Sequence, residues 1–138
     1  MPDFEYPKIY KADNTKFSVL IVDDSLFMRI QLIEIFNAID CNIIGEAEDG
    51  KQCVEMVANL QPDLITLDLT MPEMDGLQAM EELKKRQIPA KIIVISALGQ
   101  KEKVLSCIKL GALEYIVKPF EDKDVAVKIH NVLKRISI

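Results

Sequence analysis

The sequence has few cysteines and no cysteine pair at close spacing. Its three cysteines, Cys41, Cys53 and Cys107, form no C-x-x-C motif, and an odd number in a short chain is a poor basis for a disulfide framework. Disulfides are also rare in the cytosol, where thiols are kept reduced. We therefore expect three reduced, structural cysteines and a cytoplasmic protein.

Long apolar runs and runs of basic residues are missing as well. No segment has the length and apolar character of a transmembrane helix, and residues 1–16 lack the apolar centre of a signal peptide. The formal net charge is −5, with no cluster of lysine and arginine of the kind that binds nucleic acid or a membrane surface. We expect neither nucleic-acid binding nor membrane insertion.

The residues that are present fit one globular domain. The chain has 138 residues, of which 49% are apolar and 28% charged, enough for a core without metal or disulfide support. Five apolar runs of strand length alternate with five helical patterns, which predicts parallel strands joined by right-handed crossovers. We predict an α/β fold with a doubly wound, five-stranded parallel sheet flanked by five helices. The predicted strands are residues 17–22, 41–47, 64–67, 91–96 and 114–117.

The helical patterns also predict which side chains are buried. In the first helix, after the cap Ser25, the apolar positions Phe27, Ile30, Ile33 and Phe36 recur every three residues, and we assign them to the core. The fourth helix is predicted from about residue 100 through Val104 and Ile108 to a C-cap at Gly111, also with its apolar residues in the core. Residues 1–16 have no sustained period and are predicted as a partly ordered N-terminal extension before a single domain at 17–138.

Polar residues follow four of the predicted strands at the point where each strand ends. Asp23 and Asp24 follow the first strand, Asp68 the third, Ser96 ends the fourth, and Lys118 follows the fifth. The carboxyl ends of parallel strands meet at one edge of the sheet, so we expect these side chains to converge. Asp23 and Asp24 alone would be ordinary helix N-terminal charges, but together with Asp68 and Lys118 they predict a site.

Three converging carboxylates repel one another unless a cation is present. Mg²⁺ prefers a few carboxylates together with water and phosphate oxygens, while Lys118 and Ser96 can contact a phosphoryl oxygen. This set predicts phosphoryl transfer to a carboxylate, with an aspartyl-phosphate as the product. Asp68 stands alone at the end of the central strand and is the predicted nucleophile, whereas Asp23 and Asp24 are better placed as metal ligands.

From residue 17 to the last residue, the chain resembles the receiver domain of two-component response regulators, most of all the single-domain, CheY-like members. The resemblance implies the flavodoxin-like strand order 2-1-3-4-5. Any one of the matching motifs is weak, but all of them in order are highly specific. The motifs are Val-Asp-Asp-Ser at 22–25, Asp-Leu-Thr-Met-Pro-Glu-Met-Asp-Gly at 68–76, Ile-Ser-Ala at 95–97, Gly-Ala at 111–112 and Lys-Pro-Phe at 118–120.

The resemblance implies a chemical role for each acidic residue of the site. Asp68 would accept a phosphoryl group from a phosphohistidine on a partner kinase. Asp24 would bind Mg²⁺ directly and Asp23 largely through water. Thr70 would contribute its backbone carbonyl, and Asp68 would complete the metal site.

The resemblance also implies a switch beside the nucleophile. Ser96 would be the switch hydroxyl, and Tyr115 the aromatic residue that turns inward when Ser96 moves toward the phosphoryl group. Lys118 would contact the phosphoryl oxygens from a cis Lys118–Pro119 peptide bond, which costs little at proline. For Tyr115, plain packing with an exposed hydroxyl is the alternative.

Two positions depart from the best-known chemotaxis pattern of the family. Thr70 stands where a longer amide is common, and Leu98 stands where an acidic residue is common. In this family both side chains shape the access of water to the phosphoryl group. The lifetime of the phosphorylated state is therefore open.

The leading functional hypothesis is a stand-alone, monomeric response regulator controlled by phosphorylation. The sequence ends about one helix after Lys118, so we expect no attached output domain and a message that leaves by a surface at 101–109, 114–116 and 122–134. Its target could be a flagellar motor switch or a phosphatase. The alternative is a phosphorelay intermediate that passes the phosphoryl group from Asp68 to a histidine phosphotransfer protein.

We do not expect an enzyme, beyond catalysis of its own Mg²⁺-dependent phosphorylation and dephosphorylation. A small-molecule phosphatase is disfavoured because Thr70 stands where a general acid would be needed.

Overall fold

The computed structural model describes residues 4–136, which form one parallel sheet with helices on both faces. The sheet order is β2-β1-β3-β4-β5, as the resemblance implied, and the predicted α/β fold is confirmed. In chain order the elements are β1 (Ser18–Val22), α1 (Leu26–Ile39), β2 (Asn42–Ala47), α2 (Gly50–Leu60), β3 (Leu64–Leu67), α3 (Gly76–Lys85), β4 (Ile92–Ser96), α4 (Lys101–Lys109), β5 (Glu114–Val117) and α5 (Asp122–Ile136).

The core consists of two apolar clusters, one on each face of the sheet. Successive strand residues point to opposite faces, so Leu20 and Val22 of β1 join the cluster under α2, α3 and α4, whereas Val19 and Ile21 join the cluster under α1 and α5. The central strand β3 is buried along its whole length. Asp68 follows directly after β3, at the carboxyl edge of the sheet.

The predicted core face of α1 is confirmed for Phe36 and Ile33, which lie in or against the apolar cluster, but it is wrong for Phe27 and Ile30. Phe27 is 88% exposed and Ile30 is 45% exposed, whereas the buried residues of the helix are Arg29, Leu32, Ile35, Phe36 and Ile39. Repeated steps of three residues fall short of the helical repeat, so a pattern with that spacing drifts around the helix. The real stripe alternates steps of three and four, and it begins with a charged residue.

The helix α4 is held by fewer buried side chains than predicted. Cys107 is its buried residue, Val104 is half-buried, and Ile108 and Leu105 are exposed. The N-cap residue Gln100 makes no side-chain capping bond. The assignment of Ile108 to the core is therefore wrong, and α4 presents an apolar surface to the outside.

Residues 4–16, which we call the N-terminal strap, form no helix or strand but pack on the domain. Phe4, Tyr6 and Ile9 contact the apolar cluster under α1 and α5. The Tyr10 hydroxyl donates a 2.5 Å hydrogen bond to Asp40. The strap thus has specific contacts with the fold. Residues 1–3 of the predicted extension and residues 137–138 of the predicted domain lie outside the described part of the chain.

All three cysteines are buried and free. Between residues 4 and 136, no helix is both long and apolar enough to cross a membrane. A cavity of about 710 Å³ lies at the amino ends of the strands, lined by residues that include Lys11, Phe17, Pro62 and Ile88. It is at the opposite edge of the sheet from the polar residues discussed next.

Candidate functional site

The structure brings the three predicted carboxylates together at the carboxyl ends of β1 and β3. One side-chain oxygen from each of Asp23, Asp24 and Asp68 lies within 4.8 Å of the others. Asp23 and Asp68 are buried, whereas Asp24 is exposed. The site is therefore an acidic group with a buried floor and one open side.

Lys118 provides a positive charge at this acidic group. Its ammonium lies 2.7 Å from Asp23 Oδ2 and 3.4 Å from Asp68 Oδ2. The Lys118–Pro119 peptide bond is cis, as the resemblance implied. One ammonium against three carboxylates leaves the group net negative.

The surroundings of Asp68 disfavour its charged form. Burial raises the pKa of the Asp68 carboxyl, the ammonium of Lys118 opposes that shift, and the neighbouring Asp23 carboxylate adds to it. A divalent cation would remove this conflict, because an opposite charge favours the ionised carboxylate. Hard oxygen donors from a few carboxylates are the ligands that Mg²⁺ takes in proteins. The three aspartates therefore fit a magnesium ion.

A close backbone contact holds the loop after Asp68 against the strand end. The amide of Gly76 donates a 3.0 Å hydrogen bond to the carbonyl of Leu69. A Cβ atom on Gly76 would lie 2.3 Å from the carbonyl oxygen of Asp68, so only glycine fits this approach. The loop between them carries Thr70, whose side chain is exposed and whose amide lies 3.4 Å from Asp68 Oδ1.

Asp75 anchors the other end of this loop. Its side chain accepts a hydrogen bond from the amide of Gln78, and the Gln78 side chain accepts one from the amide of Asp75, which completes a capping box at the start of α3. The amide of Gly50 donates a 2.7 Å hydrogen bond to the carbonyl of Met74 and ties the loop to α2. The loop after Asp68 is thus fixed at both ends.

Ser96 and Tyr115 both form hydrogen bonds with the backbone of Leu98. Ser96 is fully buried, and its hydroxyl accepts a 3.3 Å hydrogen bond from the amide of Leu98. Tyr115 is only 9% exposed, and its hydroxyl donates to the carbonyl of Leu98. Burial raises the pKa of Tyr115, while an interaction with Ser96 acts in the opposite direction. In this structure, Tyr115 is turned inward.

The backbone also joins Ser96 to Lys118. The amide of Lys118 donates a 2.9 Å hydrogen bond to the carbonyl of Ser96, where β4 pairs with β5. The two side chains that are predicted to contact a phosphoryl oxygen therefore come from adjacent strand ends.

Arg29 is a residue of the site that the sequence patterns did not identify. Its guanidinium donates a 2.8 Å hydrogen bond to the carbonyl of Asp23 and pairs with Glu46 at 2.9 Å. A charged residue three positions before Leu32 and seven before Phe36, on the buried stripe of α1, was the available signal. The signal is ambiguous in the sequence because Phe27, Ile30 and Ile33 place apolar residues on another side of the same helix.

Comparison with known proteins gives matches over most of the chain. The family model of the response regulator receiver domain matches residues 19–130. The chain is 46% identical to chemotaxis protein CheY of Thermotoga maritima over 116 residues, which are 84% of this chain and 97% of that protein. It is 40% identical to chemotaxis protein CheY of Treponema pallidum over 130 residues, 93% of this chain and 90% of that protein.

Solved structures give the same result for the fold. A chain in the crystal structure of the CheX-CheY-BeF3-Mg complex from Borrelia burgdorferi superposes with a TM-score of 0.84. It is 38% identical in sequence, and the match covers 90% of this chain and 95% of that one. That complex contains magnesium and beryllofluoride together with the partner protein CheX.

Proposed function

Because this chain belongs to the response regulator receiver domain family, we propose that Asp68 accepts a phosphoryl group from a phosphohistidine of a partner kinase. The observation that carries the proposal is the burial of Asp68 beside Lys118, with oxygens of Asp23 and Asp24 within 4.8 Å of it. The family's CheY-like chemotaxis members act in two-component signalling. The roles proposed for the individual residues of this chain are supported by the geometry of the site.

The transfer exchanges one bond to phosphorus for another. A carboxylate oxygen of Asp68 attacks the phosphorus atom, the phosphorus–nitrogen bond of the phosphohistidine breaks, and its electron pair returns to the imidazole. Lys118 then lies next to the new phosphoryl oxygens and offsets their charge, as cations do in phosphoryl transfer. The Ser96 hydroxyl can donate to the same oxygens.

We propose that Asp23, Asp24 and Asp68 hold Mg²⁺, with the backbone carbonyl of Thr70 as a further ligand. When bound, the ion supplies charge that offsets the carboxylates and the phosphoryl oxygens. The three carboxylates would bind the ion and orient the phosphoryl group, and the exposed side of the site at Asp24 leaves room for the phosphohistidine donor. The chain is not proposed to turn over a separate substrate: it catalyses its own phosphorylation and dephosphorylation.

The test is phosphorylation by a small donor. Wild type and Asp68→Asn are incubated with acetyl phosphate and Mg²⁺, and the intact masses are compared. We expect wild type to gain the mass of one phosphoryl group. Treatment with hydroxylamine should remove that added mass, and chelation of Mg²⁺ before acetyl phosphate is added should prevent it. An unlabelled wild type, or equal labelling of Asp68→Asn, would contradict the assignment.

We propose that the signal leaves through α4, β5 and α5. Apolar side chains are exposed on these elements, with Leu105 at 46% and Ile108 at 53%, and the inward Tyr115 of β5 connects this face to Ser96. Phosphorylation can shift a binding equilibrium only through contacts that differ between two states, and the Ser96–Leu98–Tyr115 contacts begin at the end of β4, the strand next to β3 and Asp68.

This surface is tested with beryllofluoride and Mg²⁺ on the ¹⁵N-labelled protein. Amide shifts in residues 101–109, 114–116 and 122–134 should change, and a Ser96→Ala variant should reduce those changes while still binding beryllofluoride. Unchanged shifts in these ranges would contradict the proposal. Because CheX is the partner in the Borrelia burgdorferi complex, a CheX-like protein is the first target to test, with Ile108→Ala as the interface variant and Leu60→Ala on α2 as the control.

The start of α1 offers a surface for the phosphohistidine protein. Leu26 and Phe27 are 60% and 88% exposed directly after Asp24 and Ser25, so an apolar patch adjoins the open side of the acidic group. Such a patch could dock the kinase that donates the phosphoryl group, and equally a histidine phosphotransfer protein that receives it. A radiolabel chase from phosphorylated protein to histidine phosphotransfer proteins separates the two, since transfer onward would favour the relay.

We also propose a cytoplasmic location. The three buried, free cysteines support it, because cysteines in oxidising compartments are more often paired.

A further inference from the structure

Arg29 is the fourth residue of α1, and its side chain is only 9% exposed. Its Nη1 donates to the carbonyl oxygen of Asp23 at 2.8 Å, and its Nε donates to Glu46 at 2.9 Å. A second carboxylate, that of Glu48, lies 3.6 Å from Nη2. One guanidinium therefore joins the end of β1, the end of β2 and the following turn.

The carbonyl that Arg29 binds belongs to the residue most tightly held at the site. The amide of Asp23 donates to Ala47, one side-chain oxygen accepts from the amide of Ser25 at 2.9 Å, and the other accepts from Lys118 at 2.7 Å. The contact from Arg29 fixes the peptide unit between Asp23 and Asp24. It therefore sets the direction in which the backbone carries the Asp24 side chain.

The chemistry of arginine suits this position better than that of lysine. A buried cation is costly unless it is paired and hydrogen-bonded, and the planar guanidinium offers several donors at fixed angles. Here those donors reach one carbonyl and two carboxylates that lie in different directions. An ammonium has no planar fork, so it cannot reproduce this geometry.

We propose that Arg29 is a positioning residue for the cation site: it holds the β1–α1 turn so that Asp23 and Asp24 present their carboxylates together with Asp68. The inference rests on the proposed function of those three carboxylates. In the structure, Arg29 bonds to the backbone of Asp23 and to Glu46 and Glu48, outside the acidic group itself. Its effect is on the affinity for Mg²⁺ rather than on the transfer step.

The test compares Arg29→Met, which keeps an unbranched apolar stem, with Glu46→Gln, which weakens the ion pair but leaves the bond to the Asp23 carbonyl. Mg²⁺ binding is measured by calorimetry, and labelling by acetyl phosphate is measured over a range of Mg²⁺ concentrations. We expect the dissociation constant for Mg²⁺ to rise about tenfold in Arg29→Met, as on loss of groups that orient metal ligands. Glu46→Gln should change it much less.

A positioning role also predicts that labelling of Arg29→Met approaches the wild-type rate at saturating Mg²⁺. Arg29→Lys should show an affinity for Mg²⁺ between those of wild type and Arg29→Met. If circular dichroism shows that Arg29→Met does not fold, Arg29→Lys is used in its place. Unchanged Mg²⁺ affinity in a folded variant, or an equal loss in Glu46→Gln, would overturn the inference. If wild type itself neither binds Mg²⁺ nor becomes labelled, the proposed function fails instead.

Discussion

The ammonium of Lys118 lies 2.7 Å from Asp23 Oδ2, on a carboxylate that is almost completely buried. The same ammonium is farther from Asp68, at 3.4 Å. In this structure the lysine is therefore paired more closely with a predicted metal ligand than with the predicted nucleophile. Its positive charge competes with a cation for the same carboxylates.

The first prediction concerns this competition. Replacing Lys118 by methionine removes a like charge from the cation site, so the affinity for Mg²⁺ should rise on the order of tenfold. Phosphorylation by acetyl phosphate should become slower at saturating Mg²⁺, because the charge that offsets the phosphoryl oxygens is gone. Calorimetry and intact mass measure the two effects. Lys123→Met, which removes an exposed pair with Glu121, is the control and should change neither. Weaker Mg²⁺ binding by Lys118→Met would contradict the argument.

Gly76 supplies the second prediction. A methyl group there would lie 2.3 Å from the Asp68 carbonyl oxygen and 2.8 Å from the Leu69 Cα, and backbone atoms cannot move away without disturbing the strand end. Gly76→Ala should lower the free energy of unfolding by about 1–3 kcal/mol and slow the labelling of Asp68. Gly99→Ala is the matched control, since its Cβ would meet only Val117 at 3.4 Å. Chemical denaturation gives the energies, and a neutral Gly76→Ala would be the adverse result.

The third prediction concerns the N-terminal strap. Deletion of residues 1–16 exposes the apolar surface that Phe4, Tyr6 and Ile9 cover, and it removes the ion pair between Lys11 and Asp63. Partial burial of a few apolar side chains gives a loss of about 1–3 kcal/mol in unfolding free energy. The strap's ion pairs lie at the amino edge of the sheet, so Mg²⁺ affinity should stay as in wild type. Tyr10→Phe, which removes only the hydrogen bond to Asp40, should have a smaller effect. An unchanged melting temperature after deletion would show that the strap contributes no stability.

The fourth prediction uses the cysteines to measure how firmly α4 is held. Burial raises the pKa of Cys53 to about 12 and also raises the pKa of Cys107, so burial disfavours the reactive thiolate at both positions. Alkylation then requires local opening, and segments with few buried contacts open most easily. Cys107 is the buried residue of α4, whereas α2 buries Cys53, Val54 and Val57.

Single-cysteine variants, with the other two cysteines replaced by alanine, should therefore react with iodoacetamide faster at Cys107 than at Cys53. Both rates should increase as the pH rises toward the ordinary thiol pKa of about 8.5, because the thiolate of the opened state is the reactive form. Mass spectrometry follows the reaction. Equal rates at the two positions would mean that α4 is held as firmly as α2.

Much of the fold could be predicted from the sequence because strands and helices alternate with clear stops. The end of β3 is the best case: a run from Leu64 to Leu67 that is apolar except for Thr66 is followed by Asp68. Once the strands are parallel, the convergence of Asp68 with Asp23 and Asp24 follows from topology alone. No knowledge of side-chain packing is needed.

The errors have a common physical cause. The start of α1 carries apolar residues on several sides, so periodicity could not show that Phe27 is exposed and Arg29 buried. The role of Arg29 depends on Glu46, which is 17 positions away in sequence and reaches it only through the pairing of β2 with β1. Contacts of that kind are decided by tertiary placement, and no local pattern encodes them.

The last prediction concerns the lifetime of the phosphorylated state. Thr70 is exposed two residues after Asp68, and its amide lies 3.4 Å from Asp68 Oδ1, so we expect its side chain to influence how water reaches the phosphoryl group. A carboxamide there can orient water, as the glutamine of GTPases does, and Thr70→Asn should speed hydrolysis on the order of tenfold. Loss of phosphorylated mass after removal of acetyl phosphate gives the rate. Mg²⁺ affinity should not change, because the proposed ligand is the backbone carbonyl. Thr70→Ser keeps the hydroxyl and should hydrolyse at the wild-type rate; a slower Thr70→Asn would show that the side chain shields the phosphoryl group instead of guiding water to it.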